Sequence, residues 1–117
     1  MVRQLICISV GLLAIALLGS CNSSPTVPVP PPQATLIQTS VPDADGYVTV
    51  SGGPDERYGL DDVALVFNDN TGVGAMTDVE ADGGWETRIA AQLNHILVIQ
   101  IKRDNQISDS VEKTVGE

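Results

Sequence analysis

Short apolar or alternating segments, separated by turn-forming residues, fill this chain from Thr35 onward. The turns come about every ten residues, a spacing that is typical of an all-β domain. They lie at 42–46, 52–54, 68–72, 81–84 and 104–105, and most of their residues are glycine, proline, asparagine or aspartate. No window between them has the period of an amphipathic helix. The sequence therefore predicts a single antiparallel β-sandwich of about seven strands, with a closed barrel as the alternative.

The predicted strands cover residues 35–39, 47–51, 63–67, 73–80, 85–91, 96–101 and 106–115. In the fifth strand Trp85, Thr87 and Ile89 alternate with polar neighbours, which predicts one buried face, with Trp85 in the core, and one wet face. The sixth strand is the most apolar stretch of the domain and is predicted to be central. The last strand is the most polar, which is typical of an edge.

Three further assignments depend on local pattern. The apolar strand 63–67 places Val63, Leu65 and Phe67 on one face, and in strand 73–80 the residues from Val73 to Val79 alternate in phase. The segment 55–62 reads as a loop that is too polar to enter the core. At 104–105 we predict a tight hairpin in which the asparagine takes a positive φ.

Several of these motifs together resemble known domain families. The segments 45–52, 62–68, 71–72 and 81–85 resemble the glycine and aspartate turns and the flanking strands of the bacterial Ig-like domains. The carboxypeptidase-regulatory, transthyretin-like sandwiches are similar as well. The resemblance covers Gly46 to Val115. It implies an Ig-like fold in a cell-surface context, and these families carry no catalytic residues to transfer.

The N-terminal region has the organisation of a secretory signal. Arg3 precedes the run from Leu5 to Leu18, which has no charged side chain, and Gly19-Ser20-Cys21 follows it. Small residues before a cysteine resemble a bacterial lipoprotein signal, which implies cleavage before Cys21 and a lipid on that residue. An uncleaved membrane anchor is the alternative, but the apolar run is shorter than the roughly 20 residues that a span requires. We therefore predict a signal peptide at 1–20, a lipidated linker at 21–34 and the sandwich at 35–117.

The predicted linker contains a run of prolines, which favours extended polyproline II backbone. Such a segment would hold the domain up to about 40 Å from a bilayer. Asn22 directly after Cys21 resembles the pattern that sorts lipoproteins to the outer membrane. The expected location is thus the cell envelope, lipid-anchored, at the outer membrane.

The charge balance limits the class of partner. Without Arg3, five basic residues face fifteen acidic ones, so the mature net charge is near −10. Such a surface repels phosphates, which argues against nucleic-acid binding and leaves the lipid as the link to the membrane. The two cysteines are Cys7, in the predicted signal, and Cys21, so the predicted domain contains no thiol. We expect no cofactor.

Few side chains are candidates for chemistry. Asp61 and Asp62 form the best pair for Ca²⁺, but a calcium site needs six to eight oxygens, so a metal is not expected. Arg57 and Tyr58, in the polar loop, are weak candidates for an exposed binding contact. The single histidine, His95, is expected to cap backbone in a turn rather than to act as a base.

The sequence thus predicts a non-enzymatic, lipid-anchored envelope protein. Its sandwich would have a structural, adhesive or protein-binding role toward an unknown protein or polysaccharide ligand. The alternative is a Ca²⁺-dependent carbohydrate-binding module or a small envelope hydrolase.

Overall fold

A computed structural model describes residues 27–117, which form two packed antiparallel β-sheets. A single turn of 3₁₀ helix, Ala34–Leu36, precedes the first strand and occupies part of the segment predicted as a strand from residue 35. The strands are β1 Ile37–Thr39, β2 Tyr47–Gly52, β3 Asp62–Asn68, β4 Gly74–Asp78, β5 Trp85–Ala90, β6 Ile96–Arg103, β7 Gln106–Ile107 and β8 Val111–Thr114. The prediction of an all-β sandwich is confirmed.

The two sheets differ in size. The three-stranded sheet has the order β1-β2-β5, and the five-stranded sheet has the order β4-β3-β6 with β7 and β8 both pairing to β6. The central position predicted for the sixth strand is confirmed. Each sheet ends in edge strands and does not close on itself, so the barrel alternative is wrong.

The core lies between the sheets and is built from alternate residues of the central strands. In the three-stranded sheet, Trp85 and Ile89 point inward, as predicted. Trp85 lies opposite Gly52, where an added Cβ would come within 2.2 Å of the indole Nε1. This position therefore requires glycine because the tryptophan ring occupies the space of a side chain.

Strand β3 directs its bulkiest side chains away from the core. Val63, Leu65 and Phe67 do share a face, but it is the outer face, and Ala64 and Val66 are the buried residues. The register explains this arrangement, since Ala64 and Val66 are paired with Ile101 and Ile99 on the fully buried face of β6. Because both faces of β3 are apolar, its own sequence does not select the buried one.

The predicted last strand is divided into two. Residues 108–110 separate β7 from β8, and the Ser108 hydroxyl accepts a hydrogen bond from the Ile101 N–H at 2.9 Å. This interruption raises the strand count from the predicted seven to eight. At the preceding hairpin the positive φ belongs to Asp104, at 53°, so the assignment to Asn105 is wrong. Aspartate and asparagine both tolerate that region, and residue type alone does not decide between them.

The expectation that residues 55–62 stay outside the core is also wrong. Asp55, Tyr58 and Asp62 are all buried. Each polar group has a hydrogen-bond partner in the fold, so its burial does not leave an unsatisfied donor or acceptor.

Candidate functional site

Tyr58 anchors the chain that precedes the sandwich. Its hydroxyl donates a 2.6 Å hydrogen bond to the Pro30 carbonyl, and its side chain is only 5% exposed. The expectation of an exposed aromatic contact at Tyr58 is therefore wrong. Burial raises the pKa of the Tyr58 phenol, which keeps it a neutral donor.

Residues 29–33, which we call the proline strap, lie against the domain. Val29 and Pro32 are buried, and Val29 belongs to the core cluster. Arg57 donates through Nη2 to the Pro31 carbonyl at 3.3 Å. This part of the predicted linker is thus packed on the sandwich, so residues 29–33 do not act as the extended spacer that we expected of the prolines.

Arg57 is held mainly by its neighbour Asp55. Its Nε and Nη2 donate to the two carboxylate oxygens at 3.1 and 2.9 Å, and its guanidinium lies 5.3 Å from the centre of the Tyr58 ring. The hydrogen bonds from Arg57 hold the pKa of Asp55 below its usual range. These contacts direct Arg57 toward the strap, and a role in binding another molecule stays a prediction.

Asp62 forms the most buried ion pair described in residues 27–117. Arg103 donates from Nε to Oδ1 at 2.7 Å and from Nη2 to Oδ2 at 2.9 Å, and the Gly59 N–H donates to Oδ2 at 3.0 Å. Asp62 is 2% exposed, and these hydrogen bonds, those from Arg103 above all, lower its pKa. Its neighbour Asp61 is exposed and is not part of the pair.

The two residues of the candidate calcium pair therefore lie in different environments, Asp62 buried and Asp61 exposed. Both carboxylate oxygens of Asp62 accept hydrogen bonds from Arg103, so a cation would have to displace a guanidinium. A cavity of about 260 Å³ adjoins both aspartates, but Arg57 and Arg103 line it as well. Within residues 27–117 no group of three histidine, cysteine, aspartate or glutamate side chains is close enough to hold a metal ion.

His95 contributes to a hydrogen-bonded turn at the opposite end of the sheet. Its Nδ1 accepts from the Gln92 N–H at 3.2 Å and contacts Asn68 Nδ2 at 3.1 Å, which confirms the prediction of a backbone cap. Sequence reasoning missed the role of Asn68, which it read as a turn residue. Asn68 is fully buried, donates to the Ala90 carbonyl at 3.0 Å and so links the two sheets.

The outer face of the five-stranded sheet carries an open apolar groove of about 480 Å³. Leu65, Phe67, Met76 and Val98 line it, together with Gly74, which contributes no side chain. Phe67 is 45% exposed and Met76 is 71% exposed. Large exposed apolar groups side by side on a sheet face are typical of an interaction surface. The sequence of β3 could have indicated this groove, because the strand is apolar on both faces and only one of them is buried in the core.

Two predicted features concern the N-terminal region. Cys21 and the predicted signal peptide lie outside the described residues. Among the residues that the structure describes, no helix is long and apolar enough to cross a membrane.

Comparison of the chain with protein-family models, with curated proteins and with solved structures finds no match.

Proposed function

We propose that this protein is a lipid-anchored component of the bacterial cell envelope that displays a non-catalytic β-sandwich for binding another protein. One observation carries the proposal, namely the order of Arg3, an uncharged apolar run and Gly19-Ser20-Cys21. A small-residue sequence ending in cysteine after such a run is the pattern of a lipoprotein signal. The outer membrane is the proposed location because Asn22 follows the cysteine.

The arrangement of the folded part supports a binding role. The polar side chains that could have served chemistry, Asp55, Arg57 and Asp62, are engaged in ion pairs that stabilise the loop and the proline strap. The apolar groove, in contrast, is exposed on the outer face of the five-stranded sheet and takes no part in the core. An Ig-like or transthyretin-like sandwich is a common rigid support for such surfaces, and the resemblance noted above favours that family context.

Metabolic labelling in a bacterial host with a fatty acid such as alkyne-palmitate tests the anchor. The chain offers a matched control, since Cys7 lies in the predicted signal and Cys21 is the predicted lipid site. We expect the wild type and Cys7→Ala to be labelled and to sediment with membranes. Cys21→Ala should be unlabelled and should leave the membrane fraction. Labelling of Cys21→Ala, or an unlabelled wild type, would contradict the proposal.

A further inference from the structure

Strand β4 exposes a row of backbone hydrogen-bonding groups. It is the edge of the five-stranded sheet and pairs with β3. The hydrogen bonds Asn68 N–H to Val73 O and Val79 N–H to Asp62 O fix the phase of this ladder. Because ladder bonds alternate along an antiparallel strand, the intervening residues Gly74, Met76 and Asp78 direct their N–H and C=O groups away from β3. This edge is able to accept a further strand.

The apolar groove lies directly beside this edge. Gly74 is paired with Phe67, and Met76 is paired with Leu65, so all four residues lie on the outer face. Gly74 leaves room for a small group there, since a Cβ added to it would be in ordinary van der Waals contact with the Phe67 ring at 3.8 Å and would not clash. A strand added at β4 would place one of its side chains next to Gly74, where an apolar group would cover the exposed Phe67 ring.

Acidic side chains predominate around β4, although Lys102, which is paired with Val63 on β3, lies across the sheet from Asp78. Between Arg57 and Arg88 the chain has seven acidic residues and no lysine or arginine. Asp78 ends β4, Asp69 lies in the turn before it and Glu80 follows it. Of the seven, only Asp62 forms a salt bridge among the described residues. The field along this edge therefore attracts cationic groups.

We propose that β4 binds an extended, cationic segment of another protein as an added strand, with an apolar side chain of that segment next to Gly74. Main-chain hydrogen bonds would give the affinity, and the groove with its acidic surroundings would give the specificity. A second copy of this chain is a poorer occupant, because two chains that each carry a formal net charge of −9 repel one another. An anionic bilayer is repelled for the same reason. This proposal deepens the protein-binding role suggested above, but its surface does not depend on the lipid.

The full chain, purified in mild detergent and isotope-labelled, allows a direct test. The probe is a short fluorescein-labelled peptide of alternating lysine and valine, and its control has glutamate in place of lysine. We expect saturable binding of the lysine peptide by fluorescence anisotropy and none of the glutamate peptide. Hydrogen exchange measured by NMR should show new protection at the amides of Gly74, Met76 and Asp78. Binding without that protection would overturn the proposal.

Two kinds of variant separate strand addition from general attraction between charges. Met76→Pro removes an outward N–H, which an edge strand tolerates, and should weaken binding about tenfold through the lost hydrogen bond and the blocked edge. Asp78→Lys should weaken binding about threefold or more, whereas Glu112→Lys, on β8 at the far edge of the same sheet, should change it by less than about twofold. Equal effects of the two lysine variants would overturn the proposal, even if Met76→Pro fails to fold.

Hydrogen exchange at the amides of Gly74, Met76 and Asp78 also tests the two alternative occupants, a second copy of the chain and a bilayer. If these amides become protected without peptide as the protein dimerises in sedimentation velocity, the occupant is a second copy and the proposal is wrong. Protection by phosphatidylcholine vesicles alone would assign the groove to a bilayer and would also overturn it. Loss of palmitate labelling, in contrast, would contradict the anchor and leave the result for β4 unchanged.

Discussion

The buried ion pair between Asp62 and Arg103 gives the most quantitative prediction for stability. The substitution Arg103→Met keeps most of the side-chain volume and removes three hydrogen bonds, two to Asp62 and one from Nη2 to the Arg57 carbonyl. The Asp62 carboxylate, which is 2% exposed, then keeps only the Gly59 N–H. An uncompensated buried charge of this kind is strongly destabilising.

The structure sets the expected magnitude. Removing one partner of a fully buried pair costs about 3–5 kcal/mol, but the Arg103 side chain is 35% exposed, so water screens part of the interaction. We therefore expect Arg103→Met to lower the free energy of unfolding by about 2–3 kcal/mol. For a domain of this size the urea midpoint should fall by about 2 M or more, since the m-value is about 1 kcal/mol/M.

Urea denaturation followed by Trp85 fluorescence measures this shift. The matched control is Arg88→Met, which removes the exposed ion pair with Asp43 and should move the midpoint far less. Replacing both partners, as in Asp62→Leu with Arg103→Met, should recover part of the loss because no buried charge remains. The reasoning is refuted if the Arg103 and Arg88 variants unfold at the same urea concentration.

The same pair predicts how stability depends on pH. The pKa of Asp62 and of Asp55 lies below the usual value in the folded protein, because Arg103 and Arg57 donate to their carboxylates. Below about pH 4 the unfolded chain therefore binds more protons than the folded one, and stability should fall as pH decreases through that range. In Arg103→Met the buried Asp62 carboxylate has lost its partner, which raises its pKa in the folded state. The folded protein then takes up this proton before the unfolded chain does, so the loss of stability on acidification should be smaller than in the wild type. Urea midpoints between pH 3 and pH 7 measure both curves, and parallel curves would contradict the assignment.

Two further predictions concern packing. Gly52→Ala should destabilise the fold by about 1–3 kcal/mol because its Cβ would overlap the Trp85 indole, whereas Gly53→Ala, whose nearest neighbour would be 3.6 Å away, should have little effect. Thermal unfolding compares the pair, and similar melting temperatures would contradict the packing argument. Tyr58→Phe removes the hydrogen bond to Pro30 and should cost about 1 kcal/mol in urea denaturation. An unchanged midpoint would show that the strap contributes no stability through this contact.

The sequence predicts some strands well and others poorly, for reasons that lie in single residues. Strand β5 was oriented correctly because Glu86 and Arg88 mark its wet face. Strand β3 has apolar residues on both faces, so its orientation was decided by its pairing with β6, a contact that its own pattern does not encode.

The prediction that the polar loop 55–62 stays outside the core was wrong for a related reason. Asp62 looks like a surface residue until Arg103, 41 positions later in the chain, is placed beside it. Tyr58 is buried because the proline strap, 28 positions earlier, supplies an acceptor for its hydroxyl. Neither the contact with Arg103 nor the one with Pro30 can be predicted from the composition of the loop itself. The groove beside Gly74 could have been anticipated only by recognising that β3 has one more apolar face than the core requires.

The proposal of a tethered sandwich depends most on the chemistry of the mature N-terminus. Mass spectrometry of the N-terminal peptide from protein isolated from its native membranes measures it directly. The account predicts a peptide that begins at Cys21 and carries the mass of attached acyl chains. A peptide that begins at Met1, or a Cys21 peptide without added mass, would contradict it.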